Sequence, residues 1–327
     1  MRNAILIVIT TAALILAAAG PARSATSFSS YEEPSVSQFG FTLGYMTGMT
    51  LYHISSYDTS GSGVESELEF PLNTMLFGIA GSHRSAGWEE RGGFQFDYRW
   101  LMNLGDGSGK MKDSDWLTDD LDIFLVGSAN PGLDIYSESD IDLKAMLIDL
   151  RLSYDMWSNE QWHIGPLVGL VYEKFSYDVR NVNQVGYGPY AASYSGSVPG
   201  LVLTYEVTYT IPVVGLRSVL LSGPTFEAQL DLGYSPWVSA EDTDDHLLRL
   251  KRSEASTKGN AILATVSAQW ETGKDSYLSL RGQYLKTETK GTQSQVFYDG
   301  SGISFSGIDD RIDSEQTTVY LLITTRL

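Results

Sequence analysis

A chain of 327 residues without cysteine excludes thiol chemistry and disulfide support, so an exported fold of this size rests on packing and hydrogen bonding. With 22 basic against 40 acidic residues the formal charge is −18, which argues against nucleic acid as a partner because neutralising phosphates takes a basic face. Nineteen tyrosines, 7 tryptophans and 32 glycines, with no strong 3.6-residue period, favour strands over helices.

Residues 1–24 carry Arg2 at the front, an apolar run from Ala4 to Ala19 and the small-residue end Ala22-Arg23-Ser24. This is the pattern of a secretory signal peptide, and the run is short of the roughly 20 apolar residues of a spanning helix. Residues 25–327 are expected to form a single domain, with 25–37 as the only linker. Ten strands are predicted over 38–53, 65–81, 92–104, 136–156, 162–179, 199–214, 224–239, 258–271, 276–289 and 315–327. In the fourth, Ile148, Leu150, Leu152 and Tyr154 alternate with Asp149, Arg151, Ser153 and Asp155. In the seventh, Phe226, Ala228, Leu230, Leu232 and Tyr234 alternate with Glu227, Gln229, Asp231 and Ser235. Such alternation fits a wall with lipid on one side and a polar lumen on the other, although a soluble sandwich also alternates.

The signal peptide, the loop pattern and strands longer than the roughly 9 to 11 residues that cross a bilayer obliquely favour the membrane reading, and the even strand count suits a closed barrel. The expected fold class is all-β, a ten-stranded antiparallel transmembrane β-barrel. Gaps after even-numbered strands (82–91, 157–161, 215–223, 272–275) are short. Those after odd-numbered strands (54–64, 105–135, 180–198, 240–257, 290–314) are mostly longer and polar. That pattern places both termini on the periplasmic side of an outer membrane and the long loops outside the cell.

Two of these long loops hold acidic clusters, Asp113-Ser114-Asp115-Trp116 and Asp242-Thr243-Asp244-Asp245-His246. Strand parity brings both to the outer rim. His83 and His163 fall at inner turns, leaving His53 and His246 outside. A neutral imidazole can take a proton from an attacking water, and a carboxylate two residues away on an extended segment can orient the ring. Asp113 and Asp115 have the same spacing and could hold that water from the facing side. Taken alone, they also fit a solvated acidic loop or a weak calcium site, and His246 fits a surface histidine. No second histidine or cysteine stands at zinc-ligand spacing, and no Gly-x-Ser-x-Gly elbow supports a serine triad.

The run Tyr234-Ser235-Pro236-Trp237-Val238, followed by Asp242-Thr243-Asp244-Asp245-His246, resembles the omptin signature Tyr-Ser-Gly-Trp-Val and Asp-x-Asp-x-His. Met111-Lys112-Asp113-Ser114-Asp115-Trp116 is similar to the omptin Met-x-Asp-x-Asp-Trp, and further similarity runs through Ile211 to Leu216 and Leu43 to Gly48. The resemblance implies an outer-membrane endopeptidase with Asp244 and His246 as a dyad and Asp113 and Asp115 as the facing pair. It implies polypeptide substrates cut next to basic residues. Asp242 matches one of two acids in the pocket for arginine, and Tyr52 occupies the position of the other. It also implies a need for lipopolysaccharide, with Lys174 matching one basic contact and Thr208 standing where another is expected. No metal or other cofactor is expected, and a monomer is. The alternative is a non-catalytic barrel of the same ancestry, an adhesin or structural protein. A porin fits least, because ten strands leave a lumen filled by side chains.

Overall fold

A computed structural model describes residues 35–57, 63–88, 93–118, 132–223 and 225–327; the predicted signal peptide lies outside the described residues. Thirteen strands form one antiparallel sheet: β1 (Val36–Tyr57), β2 (Gly63–Pro71), β3 (Thr74–Arg84), β4 (Phe94–Asn103), β5 (Gly107–Thr118), β6 (Ile135–Tyr154), β7 (Trp157–Ser158), β8 (Trp162–Gly186), β9 (Gly196–Leu221), β10 (Phe226–His246), β11 (Lys251–Gly273), β12 (Ser276–Phe297) and β13 (Ser304–Arg326). β1 pairs with β13, from Gln38 opposite Arg326 to Ser55 opposite Asp309, so the sheet closes. Closure removes the unpaired edges that lipid would not tolerate.

Ten staves make the ring, because two of them are interrupted. β2 and β3 both pair with β1, and are separated at Leu72 and Asn73 after Pro71, which has no N–H to give. β4 and β5 both pair with β6, separated by a short break at Gly105, whose φ of +75° suits glycine. Asn103 splices this break with its side chain, donating to the Leu143 carbonyl at 2.9 Å and accepting from the Ala145 N–H at 2.9 Å.

The alternation around the membrane follows the expected pattern. Phe41, Leu43, Phe77, Trp100, Leu216, Leu232 and Ile323 are exposed on the outer wall, and Phe41 sits opposite Ile323 across the closing pair. The strands nevertheless run well past their predicted outer ends. β10 reaches His246 rather than 239, β11 starts at Lys251 rather than 258, and β13 starts at Ser304 rather than 315. Residues 107–118, expected in a loop, are strand β5. Above the lipid neither face has to be apolar, so the pattern that marks a strand fades while the backbone ladder continues.

The inward residues change character along the barrel. On β9 they run from Arg217 through Val213 and Ile211 to Tyr209 and Tyr205, all buried. In the half nearer the termini a network of charges fills the lumen. Arg151 bonds Asp231 at 2.8 Å and Asp149 at 2.7 Å, Arg217 bonds Asp231 at 2.8 Å and Asp97 at 2.5 Å, and Arg99 also bonds Asp149. Beyond it lies an aromatic layer of Tyr52, Phe70, Tyr177 and Tyr205, with the Phe70 and Tyr205 rings stacked at 4.4 Å. Beyond the rings the lumen opens into an acidic mouth.

Candidate active site

The face that β10 turns toward the lumen is set by a bulge. Below it the buried residues are odd-numbered, Gln229, Asp231 and Ser235, and above it they are even-numbered, Val238, Ala240, Asp242 and Asp244. The register slips by one residue between Ser235 and Val238 against β11, and between Tyr234 and Ser239 against β9. A one-residue insertion exchanges the two faces of everything beyond it. The local sequence suits the kink: Pro236 has no N–H to lose from the ladder, and the Trp237 N–H finds the Ser235 hydroxyl at 3.3 Å. Without this extra residue Asp242, Asp244 and His246 would face outward.

Asp244 Oδ2 lies 2.9 Å from His246 Nε2, with Asp244 almost fully buried. His246 is the last residue of β10, held by a tight connection of four residues. Leu247 N–H bonds the Val202 carbonyl at 3.1 Å and Arg249 N–H bonds the His246 carbonyl at 3.1 Å. Asp113 and Asp115 stand on β5, flanked by Leu68 and Ser66 of β2 and by Ser137 and Ile135 of β6. The Ser66 hydroxyl donates to Asp113 at 3.3 Å. β5 and β10 stand on facing arcs of the ring, and the charges of Asp113 and Asp244 act on one another. Burial, and then the neighbouring Asp115, push the Asp113 carboxyl up to about 8. At neutral pH the Asp113–Asp115 pair therefore holds a proton that it can donate.

Asp242 is one inward step below Asp244. One of its oxygens accepts the Ala255 N–H at 3.1 Å and the other has no partner. Burial and the Asp244 charge push it up to about 7. Tyr52 is buried beside it, its hydroxyl donating to Gln293 at 3.0 Å and its ring 5.4 Å from that of Tyr205. Lys174 is elsewhere, on the outer wall opposite Thr208 in register, and its ammonium is paired with Glu206 at 2.7 Å. His53 also points outward, onto Glu65 at 2.7 Å, while His163 packs on Trp88 and bonds Asp155 near the inner end. Among the described residues no group of three histidine, aspartate or glutamate side chains is arranged to hold a metal ion.

Sequence reasoning missed three residues at the mouth. Lys251 lies opposite His246 in register and is buried; burial pulls its ammonium below the ordinary lysine value, opposed by Asp244, Asp113 and Asp115. Arg249 acts on Asp113 from the connection just after His246. Asp310 is buried on β13, and the alternation Tyr320, Thr318, Gln316, Ser314, Ile312 could have found it.

The omptin family model matches residues 41–320. The chain belongs to the omptin family. It is 24% identical over 305 residues to a plasminogen activator from Yersinia pestis, spanning 90% of this chain and 92% of that protein. The solved structure of the outer membrane protease OmpT from Escherichia coli superposes with a TM-score of 0.74 at 18% identity, covering 92% of this chain and all of the other. This omptin is thus an outer-membrane β-barrel of a protease family, and its ten-stave ring is the fold expected from the strand pattern.

Proposed function

We propose that this omptin is an endopeptidase whose active site opens to the cell exterior and whose water is activated between His246 and the Asp113–Asp115 pair. The observation that carries the reading is the 2.9 Å contact of Asp244 with His246, facing two further carboxyls that arrive from β5. In this mechanism a polypeptide lies across the mouth in extended form. His246 takes the proton of the attacking water as its oxygen bonds to the scissile carbonyl carbon, and Asp244 stabilises the imidazolium. In this reading the proton held by the Asp113–Asp115 pair hydrogen-bonds the oxygen that becomes negative, and the imidazolium returns a proton to the leaving amine. Cleavage next to basic residues follows from Asp242, whose unpartnered oxygen attracts a cationic side chain.

Residues 1–24 are read as the export signal and 25–327 as the mature single-domain barrel, acting as a monomer. Lipopolysaccharide is the expected lipid partner, weakly held at Lys174 because Glu206 already neutralises it. The deciding measurement is cleavage of basic peptides by full-length protein refolded in micelles with lipopolysaccharide. His246→Ala should lower kcat by on the order of 10²–10⁴. Equal rates for the two proteins would sink the reading. A barrel that cuts no peptide yet binds a surface ligand would instead establish the non-catalytic alternative.

A further inference from the structure

We propose that Asp310 is the second carboxylate of a cation pocket, receiving together with Asp242 the guanidinium or ammonium group of a substrate side chain. That the cation belongs to a substrate rests on the peptidase reading, whereas the pocket itself does not. Asp310 ends the inward row of β13, is 4% exposed, and has no hydrogen-bond partner for either carboxyl oxygen among the described residues. Its neighbour in register on β12 is Gly291, which contributes no side chain to the lumen. Asp242, Ala255 and Gln293 form the adjacent row across β10, β11 and β12, with a methyl group as the only bulk between the acid and the amide. Asp242 and Asp310 therefore face a common space over Ala255 and Gly291.

The rest of the space is finished for a flat cation. Gln293 spends its carbonyl on the Tyr52 hydroxyl, and its amide N–H groups have no partner. The Tyr52 and Tyr205 rings wall one side, offering faces to a guanidinium. Two carboxyls buried together without a counter-charge are costly when ionised, and a cation between them relieves the cost. Lys251 and Arg249 do not serve here: the charges acting on Asp310 are the carboxylates of Asp242 and Asp244. Burial and those neighbours push Asp310 up to about 8, so the empty pocket keeps protons that an entering cation displaces.

The experiment uses two peptides that differ only in arginine or its neutral isostere citrulline before the scissile bond, cut by full-length refolded protein. Asp310→Asn should lower kcat/KM for the arginine peptide on the order of 10- to 100-fold and change the citrulline peptide by less than about twofold. Asp310→Glu, which keeps the charge, should recover part of the loss. Equal losses on both peptides, or none on either, would overturn the proposal. Titration of benzamidine followed by calorimetry reads the pocket without cleavage, and its affinity should fall by a similar factor in Asp310→Asn. If the wild type cuts neither peptide, the peptidase reading fails, and the benzamidine titration still decides the pocket. Unchanged benzamidine affinity in a variant with wild-type urea unfolding would reject it.

Discussion

Asp97, Asp149 and Asp231, in the half of the lumen nearer the termini, are each held by at least one guanidinium, and Asp149 and Asp231 are each held by two. Asp242, Asp244 and Asp310, in the outer half, are as thoroughly buried but each keeps an oxygen without a hydrogen-bond partner. Both clusters sit inside the same ring of strands, so burial alone does not distinguish them. The difference lies in the counter-charge. The inner acids are completed by their own chain and act as a plug, while the outer ones leave valence for something that arrives from outside.

If the outer acids serve chemistry, what aims them should matter as much as what they are. Deleting Pro236 removes the extra residue of the β10 bulge and turns Asp242, Asp244 and His246 to the outer wall. Cleavage should fall by on the order of 10²–10⁴, as for loss of the general base itself, while the ionic plug and the lipid-facing belt stay intact. Peptide cleavage together with urea unfolding in micelles checks this. A deletion variant that still cuts peptides would show that the mouth does not depend on the bulge.

The plug should respond the other way. Arg151→Leu removes one of the two guanidiniums that hold Asp149 and one of the two that hold Asp231, and loss of a partner from a buried ion network costs up to about 3–5 kcal/mol. Urea unfolding would register that loss, and kcat of the surviving folded protein should be unchanged. A cost below about 1 kcal/mol would mean that the lumen is wet enough to screen the two acids, and the contrast between the halves would disappear.

A graded effect follows from the raised carboxyls of the mouth. Asp113 and Asp310 are pushed to about 8 and Asp242 to about 7 from an unfolded value of 3.8, so the folded barrel binds more protons than the unfolded chain between those limits. Stability from these groups is present in full below about pH 4 and is lost as pH rises through about 8. Because the groups interact, the loss should spread over that whole window rather than fall at one pH. The urea midpoint measured from pH 5 to pH 9 should decline, and less steeply in Asp310→Asn than in wild type. A midpoint rising over that range would contradict the unpaired state of the mouth.

These contrasts also mark where the sequence was legible. Around the membrane, lipid forces Phe41, Leu43, Leu230 and Leu232 outward, so period-two alternation could be read directly and gave ten staves and their order. Beyond the lipid the outer wall is polar as well, and β5 and the outer ends of β10 and β13 looked like loops. The acids of the mouth were found through their motifs rather than their geometry. Carrying the parity of Asp231 and Ser235 onward along β10 would have pointed Asp244 away from the lumen. Tyr52 looked like the loss of a carboxylate because its own strand supplies none, whereas Asp310 stands two residues from its partner Ile312 on β13, inside a predicted loop. Lys251 was missed because a four-residue turn, not sequence spacing, returns it to His246.

The rule that a completed charge is unavailable to a ligand extends to the outer wall, where the effect should be smallest. Lys174 has the position expected of a lipopolysaccharide contact, but its ammonium is 2.7 Å from Glu206, and Glu206 also accepts the Ser176 hydroxyl at 3.1 Å. A phosphate would have to displace that carboxylate and then bear its repulsion. An exposed pair of this kind is worth about 0–1 kcal/mol, so Lys174→Ala should shift the lipopolysaccharide concentration for half-maximal activity by no more than about fivefold. Glu206→Ala removes the competitor and leaves the ammonium free, so it should move the same midpoint toward tighter binding. A loss well beyond fivefold in Lys174→Ala, with no gain in Glu206→Ala, would mean that the lysine reaches the phosphates despite its partner, and pairing would no longer separate structural from ligand-binding charges in this barrel.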